Sequence, residues 1–275
     1  MSFRKLNIGS LINTRDLHGL KNREGKTIKK NSLFRSDALF KISSEDMRRL
    51  KEENNLKEII DFRGEDEINK HTVDPSVDGV KHIYLPLNNG IRNQVTREHK
   101  EHSDNKEVEG IINFFYYLDE KADITYATEK LYRQFVSNEI GVKNLSKFLN
   151  EVLSCDGLLI YHCTDGKDRT GVATYLLLKI LDFDDETIFY DYLLTNENVV
   201  EKRKRRRELF LSCGIDNEII LNSSDIIAGV RENWLKAAVD EINKRYQGVD
   251  SYIENILGFS KEKREYMQEK YLSYE

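Results

Sequence analysis

The stretch that most constrains this chain is His162-Cys163-Thr164-Asp165-Gly166-Lys167-Asp168-Arg169-Thr170-Gly171. It follows Gly157-Leu158-Leu159-Ile160-Tyr161, an apolar run of strand length. It precedes Val172-Ala173-Thr174-Tyr175-Leu176-Leu177-Leu178-Lys179, which reads as a buried helix. A cysteine, five residues and an arginine therefore sit on a strand–loop–helix turn. The expected fold is α/β, with a central, mostly parallel sheet flanked by helices. The site belongs at the C-terminal edge of the strand that ends near Cys163.

Each residue type in the turn has a chemical reason to be there. Only a thiolate attacks, and a helix N-terminus offers unpaired N–H groups and a positive dipole end that favour an anion. The same field suits a bound phosphate dianion. A five-residue loop can curl its amides inward as an anion nest. Gly166 frees the turn from a Cβ clash, and Gly171 lets the new helix pack close to the strand. Arg169 offers a planar, always charged fork for two phosphate oxygens. Thr164, Asp165, Gly166, Lys167 and Thr170 complete the expected binding loop, with the Thr170 hydroxyl available to the sulfur. His162 orients the loop through backbone hydrogen bonds. The implied chemistry is two-step: Cys163 displaces an alcohol or phenol from phosphorus, and water then hydrolyses the thiophosphate ester. It requires no metal or other cofactor. The plainer alternative makes Cys163 a core thiol and Arg169 an ion-pair partner. A bare Cys-x5-Arg arises often by chance, whereas the full string between a strand and a helix does not.

This string resembles the signature loop of the cysteine-dependent protein tyrosine phosphatase superfamily. Its Gly-Lys-Asp-Arg-Thr-Gly ending is similar to the atypical bacterial branch, of the mycobacterial PtpB and Listeria lipid-phosphatase type. Asn13-Thr14-Arg15-Asp16-Leu17, Leu33-Phe34-Arg35-Ser36-Asp37 and Ile60-Asp61-Phe62-Arg63 resemble N-terminal motifs of that branch. Asp191-Tyr192-Leu193-Leu194-Thr195-Asn196 and Leu257-Gly258-Phe259-Ser260 resemble its C-terminal helical part. The resemblance implies a phosphomonoester hydrolase for phosphotyrosine, extending to phosphoserine, phosphothreonine and phosphoinositides. Asp165, Gly166, Asp168 and Arg169 are also similar to the loop of myotubularin-type lipid phosphatases. Lys167 adds a cation that suits a multiply anionic headgroup. The alternative reading is thus a phosphoinositide or inositol phosphate phosphatase on the same loop.

Composition narrows the setting. With 275 residues, 39% hydrophobic and 33% charged, the chain can bury a sizeable core and is globular. A formal charge of -5 argues against nucleic-acid partners. Cys155, Cys163 and Cys213 form no disulfide framework. No signal-like apolar segment or membrane-length run is visible, so the expected location is the cytoplasm, without stable membrane insertion; secretion after loss of a leader stays open. The expected partner is a phosphorylated protein or a phosphoinositide substrate.

One phosphatase domain is expected over 1–275, with a lid insertion at 91–125 and a helical C-terminal subregion at 185–275. Residues 6–12 read as a short strand, and Gly19–Lys30 as a hairpin or loop turning at Glu24-Gly25. Ser43 or Ser44 starts a helix to about Asn54, with Met47 and Leu50 inward. Strands follow at Leu56–Phe62 and Val80–Leu87. Arg63 with Glu67, and Arg35 with Asp37, read as buried pairs bracing loops. In 91–125, polar Arg92–Glu109 precedes apolar Ile111–Leu118, which suits a lid or an extra core helix. His99 and His102 read as solvated, not as metal ligands. Helices are expected at Tyr126–Ser137, Val142–Leu153, Glu186–Leu194, Glu197–Ser212, 224–246, 250–257 and 261–273. Lys202-Arg203-Lys204-Arg205-Arg206-Arg207 reads as a solvated helix face or a contact for anionic headgroups. Val230, Trp234, Ala238 and Ile242 share one helical face and read as core.

The proton donor is the least defined part. Where relatives carry a general-acid Asp on a loop after a strand, this chain has Asn88 and Asn89, which do not titrate. Asp168 is the first candidate, Asp165 the second, and Asp104, Asp119 and Asp123 follow. Two rivals remain: a catalytically dead phosphate-binding module, against which intact Cys163 and Arg169 argue, and an arsenate-reductase-like thiol enzyme, which wants resolving cysteines nearer Cys163. A nucleotide P-loop fails, because Asp168 follows Lys167 and the upstream glycine is missing.

Overall fold

The apolar run before Cys163 is the middle of a sheet. The computed structural model describes residues 8–9, 11–69, 71–88 and 124–274. Its strands are β1 (Arg15–Asp16), β2 (Thr27–Ile28), β3 (Leu33–Ser36), β4 (Leu56–Asp61), β5 (Lys81–Tyr84), β6 (Leu158–His162) and β7 (Leu272–Ser273). The main sheet has the order β1-β3-β6-β4-β5, and β2 with β7 makes a separate ribbon. Strands β3, β6, β4 and β5 run parallel; β1 runs antiparallel against β3. This is the mostly parallel α/β sheet expected from the sequence.

Every residue of β6 is buried, as a strand covered on both faces requires. Leu159 and Tyr161 join the larger core beside Phe62 and Phe148. Leu158 and Ile160 join a second core beside Phe34, Ile59, Met47 and Leu50. Tyr161 and Phe62 meet Phe148 with ring centroids 5.1 and 5.2 Å away. One helix, α1 (Ser44–Glu52), covers the second face through Met47 and Leu50, capped by Ser43. The first face packs α2 (Ile124–Ser137), α3 (Glu139–Ser154) and α4 (Asp168–Ile180). Then come α5 (Asp185–Leu193), a turn at Thr195–Asn198, α6 (Val200–Ser212), α7 (Glu218–Ala228), α8 (Glu232–Tyr246) and α9 (Lys261–Tyr271). Helices α6 and α7 share a small core of their own, Phe210 and Leu221 with Leu209 and Ile215.

The register explains how distant motifs converge. Ser36 of β3 and Asp61 of β4 both lie opposite His162, and Arg15 lies opposite Arg35. Residues 13–15, 35–37 and 61–63 therefore gather at the C-terminal edge of β6, beside Cys163.

Several expectations need correction. Residues 8–12 form no strand among those described, because the Asp37 carboxylate takes the amides of Ile12 (3.0 Å) and Asn13 (2.9 Å). The hairpin or loop expected at Gly19–Lys30 is present, with Lys21 and Thr27 in an antiparallel bridge across Glu24-Gly25, and β2 pairs in addition with β7. Helix α4 starts at Asp168, so the end of the signature string is its first turn. The span 224–246 is two helices, broken at Gly229-Val230-Arg231. Val230 sits in that break and is still buried in the same core as Trp234, Ala238 and Ile242 of α8, as expected. The lid expected at 91–125 lies outside the described residues apart from Ile124 and Thr125, which begin α2. Asp104, Asp119, Asp123, His99, His102 and Asn89 lie outside them as well.

Candidate active site

Between β6 and α4 every carbonyl of the loop is held from outside or by the helix. Cys163 O accepts from His162 Nδ1 at 3.0 Å, and Thr164 O from the Ala38 amide at 3.1 Å. Asn13 Nδ2 donates to Asp165 O (2.9 Å) and Gly166 O (3.1 Å). Arg35 Nη2 also donates to Gly166 O, at 2.9 Å. Lys167 O accepts the Gly171 amide at 2.9 Å. A peptide unit points its C=O and N–H in opposite directions. With these carbonyls turned away, the amides of residues 164–168 face the other side, and none finds an acceptor among the described residues. Five unpaired N–H groups and the end of a 13-residue helix form a site built for an anion. Gly166 is required at this bend: its φ is +64°, and a Cβ there would stand 2.3 Å from Ser36 O. Gly171 admits the ring of Tyr192, 2.9 Å from where its Cβ would be, rather than the strand.

Cys163 is buried at 2% exposure at the base of this loop. Arg169, in the first turn of α4, is gripped by Glu67. Its Nη1 and Nη2 both pair with that carboxylate, the latter at 2.8 Å, and Nη1 also donates to Phe62 O at 3.3 Å. Thr164 Oγ1 donates to Glu67 Oε1 at 2.6 Å, closing a ring of three side chains. Burial alone would raise the Glu67 carboxyl, but Arg169, Thr164 and the Gly64 amide hold it at about 2. The reading of Glu67 as a partner of Arg63 is therefore corrected. Glu67 fixes the guanidinium beside the loop. The only sequence signal for it was an acidic run just past β4.

Asp168 is held through both oxygens. Tyr132 Oη donates to Oδ1 at 2.7 Å, and Lys167 Nζ lies 2.9 Å from Oδ2. Lys167 is buried; its ammonium also reaches Gly229 O (3.3 Å) and the face of Trp234 (5.7 Å). The break between α7 and α8 supplies that carbonyl. Asp165 is paired with Lys202 of α6. Burial would raise its carboxyl, but Lys202, Lys167 and Arg206 hold it well below the usual carboxylate range. The cations around it thus favour its carboxylate form, and Asp168 remains the first candidate for the proton. The basic run is also more than a solvated face, since Lys202 docks on the loop, and Arg207 pairs with Glu218 and Asp225. Thr170 Oγ1 is buried and makes no hydrogen bond among the described residues, including to Cys163.

Beneath the loop, His162 is fully buried, 3.0 Å from Asp74 Oδ2 and 3.8 Å from Asp61 Oδ1. Burial disfavours its charge, but the two carboxylates prevail and raise the imidazole to about 9. Asp61, Asp74 and His162 have the spacing of metal ligands. Arg63 Nη2, however, already contacts both carboxylates, at 2.7 and 2.8 Å. Its guanidinium supplies the positive charge a metal would bring. Arg35 likewise pairs not with Asp37 but with Asp191, at 2.5 Å.

A family model described as the tyrosine phosphatase family matches residues 6–273. The triple specificity protein phosphatase PtpB of Mycobacterium tuberculosis is 30% identical over 136 residues, 46% of this chain and 48% of PtpB. A Cupriavidus necator protein provisionally named a tyrosine-protein phosphatase is 24% identical over 251 residues, 90% of this chain and 82% of that protein.

Proposed function

The chain belongs to the tyrosine phosphatase family of phosphomonoester hydrolases, and we propose that it hydrolyses phosphotyrosine through a cysteinyl-phosphate intermediate on Cys163. The observation that carries this reading is the ring of unpaired amides at residues 164–168, with Cys163 at its base and Arg169 fixed beside it. The phosphate oxygens occupy the amides and the Nε–H edge of Arg169, since Glu67, Phe62 O and Thr164 already take its Nη donors. Cys163 Sγ bonds to phosphorus as the P–O bond to the phenol breaks, and Asp168, entering this step in its acid form, gives the leaving oxygen its proton. Water then bonds to phosphorus as the S–P bond breaks, returning its proton to Asp168 and leaving inorganic phosphate and the thiolate. Thr164 positions Glu67 and hence Arg169, while Lys167 and Tyr132 position Asp168. PtpB carries triple specificity in its name, and phosphoserine and phosphothreonine are accordingly proposed as further substrates.

The second reading, a phosphoinositide phosphatase, has one observation in its favour. A cavity of about 430 Å³ is lined by Arg203, Lys204, Arg207 and Arg231 together with Asp225, Ile226 and Val230. Lys167 no longer supports that reading, since its ammonium is taken up by Asp168 and Gly229 O. Phosphate release from a phosphotyrosine peptide, a phosphoserine peptide and phosphoinositide vesicles separates the two. The proposal expects kcat/KM highest on phosphotyrosine. Preference for the vesicles would overturn it in favour of the second reading.

A further inference from the structure

The amide cup exists only while its carbonyls stay turned outward, and two side chains far away in sequence hold the two central ones. Asn13 Nδ2 spans Asp165 O and Gly166 O, and Arg35 Nη2 takes Gly166 O from another side. Both are themselves locked. Asn13 Oδ1 accepts from Arg15 Nη1 at 2.8 Å and from Asn198 Nδ2 at 3.2 Å. Asp191 of α5 bridges Arg35 Nη1 and Arg15 Nε, at 2.5 and 2.8 Å. Its backbone carbonyl takes Arg15 Nη2 at 2.7 Å. Arg15 and Arg35 have no solvent exposure, and Asn13 has 1%.

We propose that Asn13 and Arg35, locked by Asp191, are positioning residues that fix the amide-inward form of the 163–168 loop and so set its affinity for the phosphoryl dianion and the Cys163 thiolate. Neither touches substrate. The geometry is directional: the donors must face carbonyls, so a residue of equal size that cannot donate should flip or loosen the peptides at 165–166. Asp at position 13 would retain an acceptor for Arg15 while setting an anion against two carbonyl oxygens. The idea rests on the reading of Cys163 and the loop as the reaction site.

The test uses Asn13→Ala, Asn13→Ser, Asn13→Asp and Arg35→Lys, with Arg48→Ala, which loses only an exposed pair with Glu52 on α1, as a control outside the network. Three quantities are measured: inhibition by inorganic phosphate, the pH midpoint of iodoacetamide alkylation at Cys163 read by peptide mass spectrometry, and the melting temperature. The expected result is phosphate binding weakened about tenfold or more in Asn13→Asp and Arg35→Lys, a change typical of losing buried hydrogen bonds. The alkylation midpoint should move to higher pH, and Asn13→Ser, a shorter donor, should recover part of the loss. Arg48→Ala should match wild type. If folded Asn13 and Arg35 variants keep wild-type phosphate inhibition and alkylation profiles, the proposal is overturned. It is also overturned if every variant at both positions unfolds, which makes the network a plain stability element. Cys163→Ser run alongside distinguishes this from failure of the underlying reading, which would show as retained turnover in that variant.

Discussion

At the residue scale the site depends on pairings between segments far apart in sequence. Cys163, Arg169 and the loop glycine could be read directly from the string, because a thiolate, a fork and a positive-φ bend each allow few residue types. Glu67 could not, since nothing local to residues 63–67 says which of several arginines the carboxylate meets; the register of β4 against β6 decides it. Glu67→Gln should remove the charge that holds Arg169. Breaking such a mostly buried pair costs about 3 kcal/mol. The expected outcome is a lower urea midpoint together with a kcat loss of tenfold or more, measured by urea unfolding and steady-state assay. Loss of stability with unchanged kcat would separate the pair from catalysis. Asp168 is the proposed proton carrier. Asp168→Asn should slow hydrolysis of an alkyl phosphate about 10²-fold or more, and that of a nitrophenyl phosphate far less, because a good leaving group needs no proton. Equal losses on both would contradict the role.

At the element scale, long periodic or uniformly apolar segments were legible: α1 with its Ser43 cap, β4, β6, and the helices before and after the signature loop. The missed elements are the short ones whose partners are distant. β2 has two residues and finds its mate at the chain's far end, a pairing no local pattern encodes. The stretch at 6–12 reads as a short strand, yet where it is described the Leu11 amide turns back to Ile8 O and the Ile12 amide goes to the Asp37 side chain instead of a neighbouring strand. The break at 229–231 was hidden because Val230 keeps the spacing of the α8 face. The α6–α7 pair has its own small core, separate from the cores around the sheet. Phe210→Ala should therefore loosen 200–228 without loosening the sheet, the local cost being about 3–5 kcal/mol for a buried Phe. Amide hydrogen exchange checks this: exchange should accelerate in α6 and α7 and stay unchanged in β6. Acceleration in β6 would show that the pair is part of the main cooperative unit.

For the whole molecule, two groups set a pH window. Glu67 is held at about 2, below its ordinary 4.5, so its contribution to stability is present above about 4.5 and lost as pH falls towards 2. His162 is raised from 6.5 to about 9. Its contribution is fully present below 6.5 and is lost as pH rises through 9, at most about 3 kcal/mol. Urea midpoints should thus decline between about 6.5 and 9, and His162→Gln should flatten that decline. A wild-type midpoint that holds steady to pH 9 would contradict the buried imidazolium. The charges around it come from Arg63, Asp61 and Asp74, so EDTA should change neither the midpoint nor turnover. The most direct measurement for the account as a whole is rapid acid quench of the enzyme during turnover of a phosphotyrosine peptide in EDTA, followed by peptide mapping. The expected result is one phosphoryl group on the peptide carrying Cys163, absent from Cys163→Ser along with all phosphate release. Phosphate release from Cys163→Ser at a rate near wild type would contradict it.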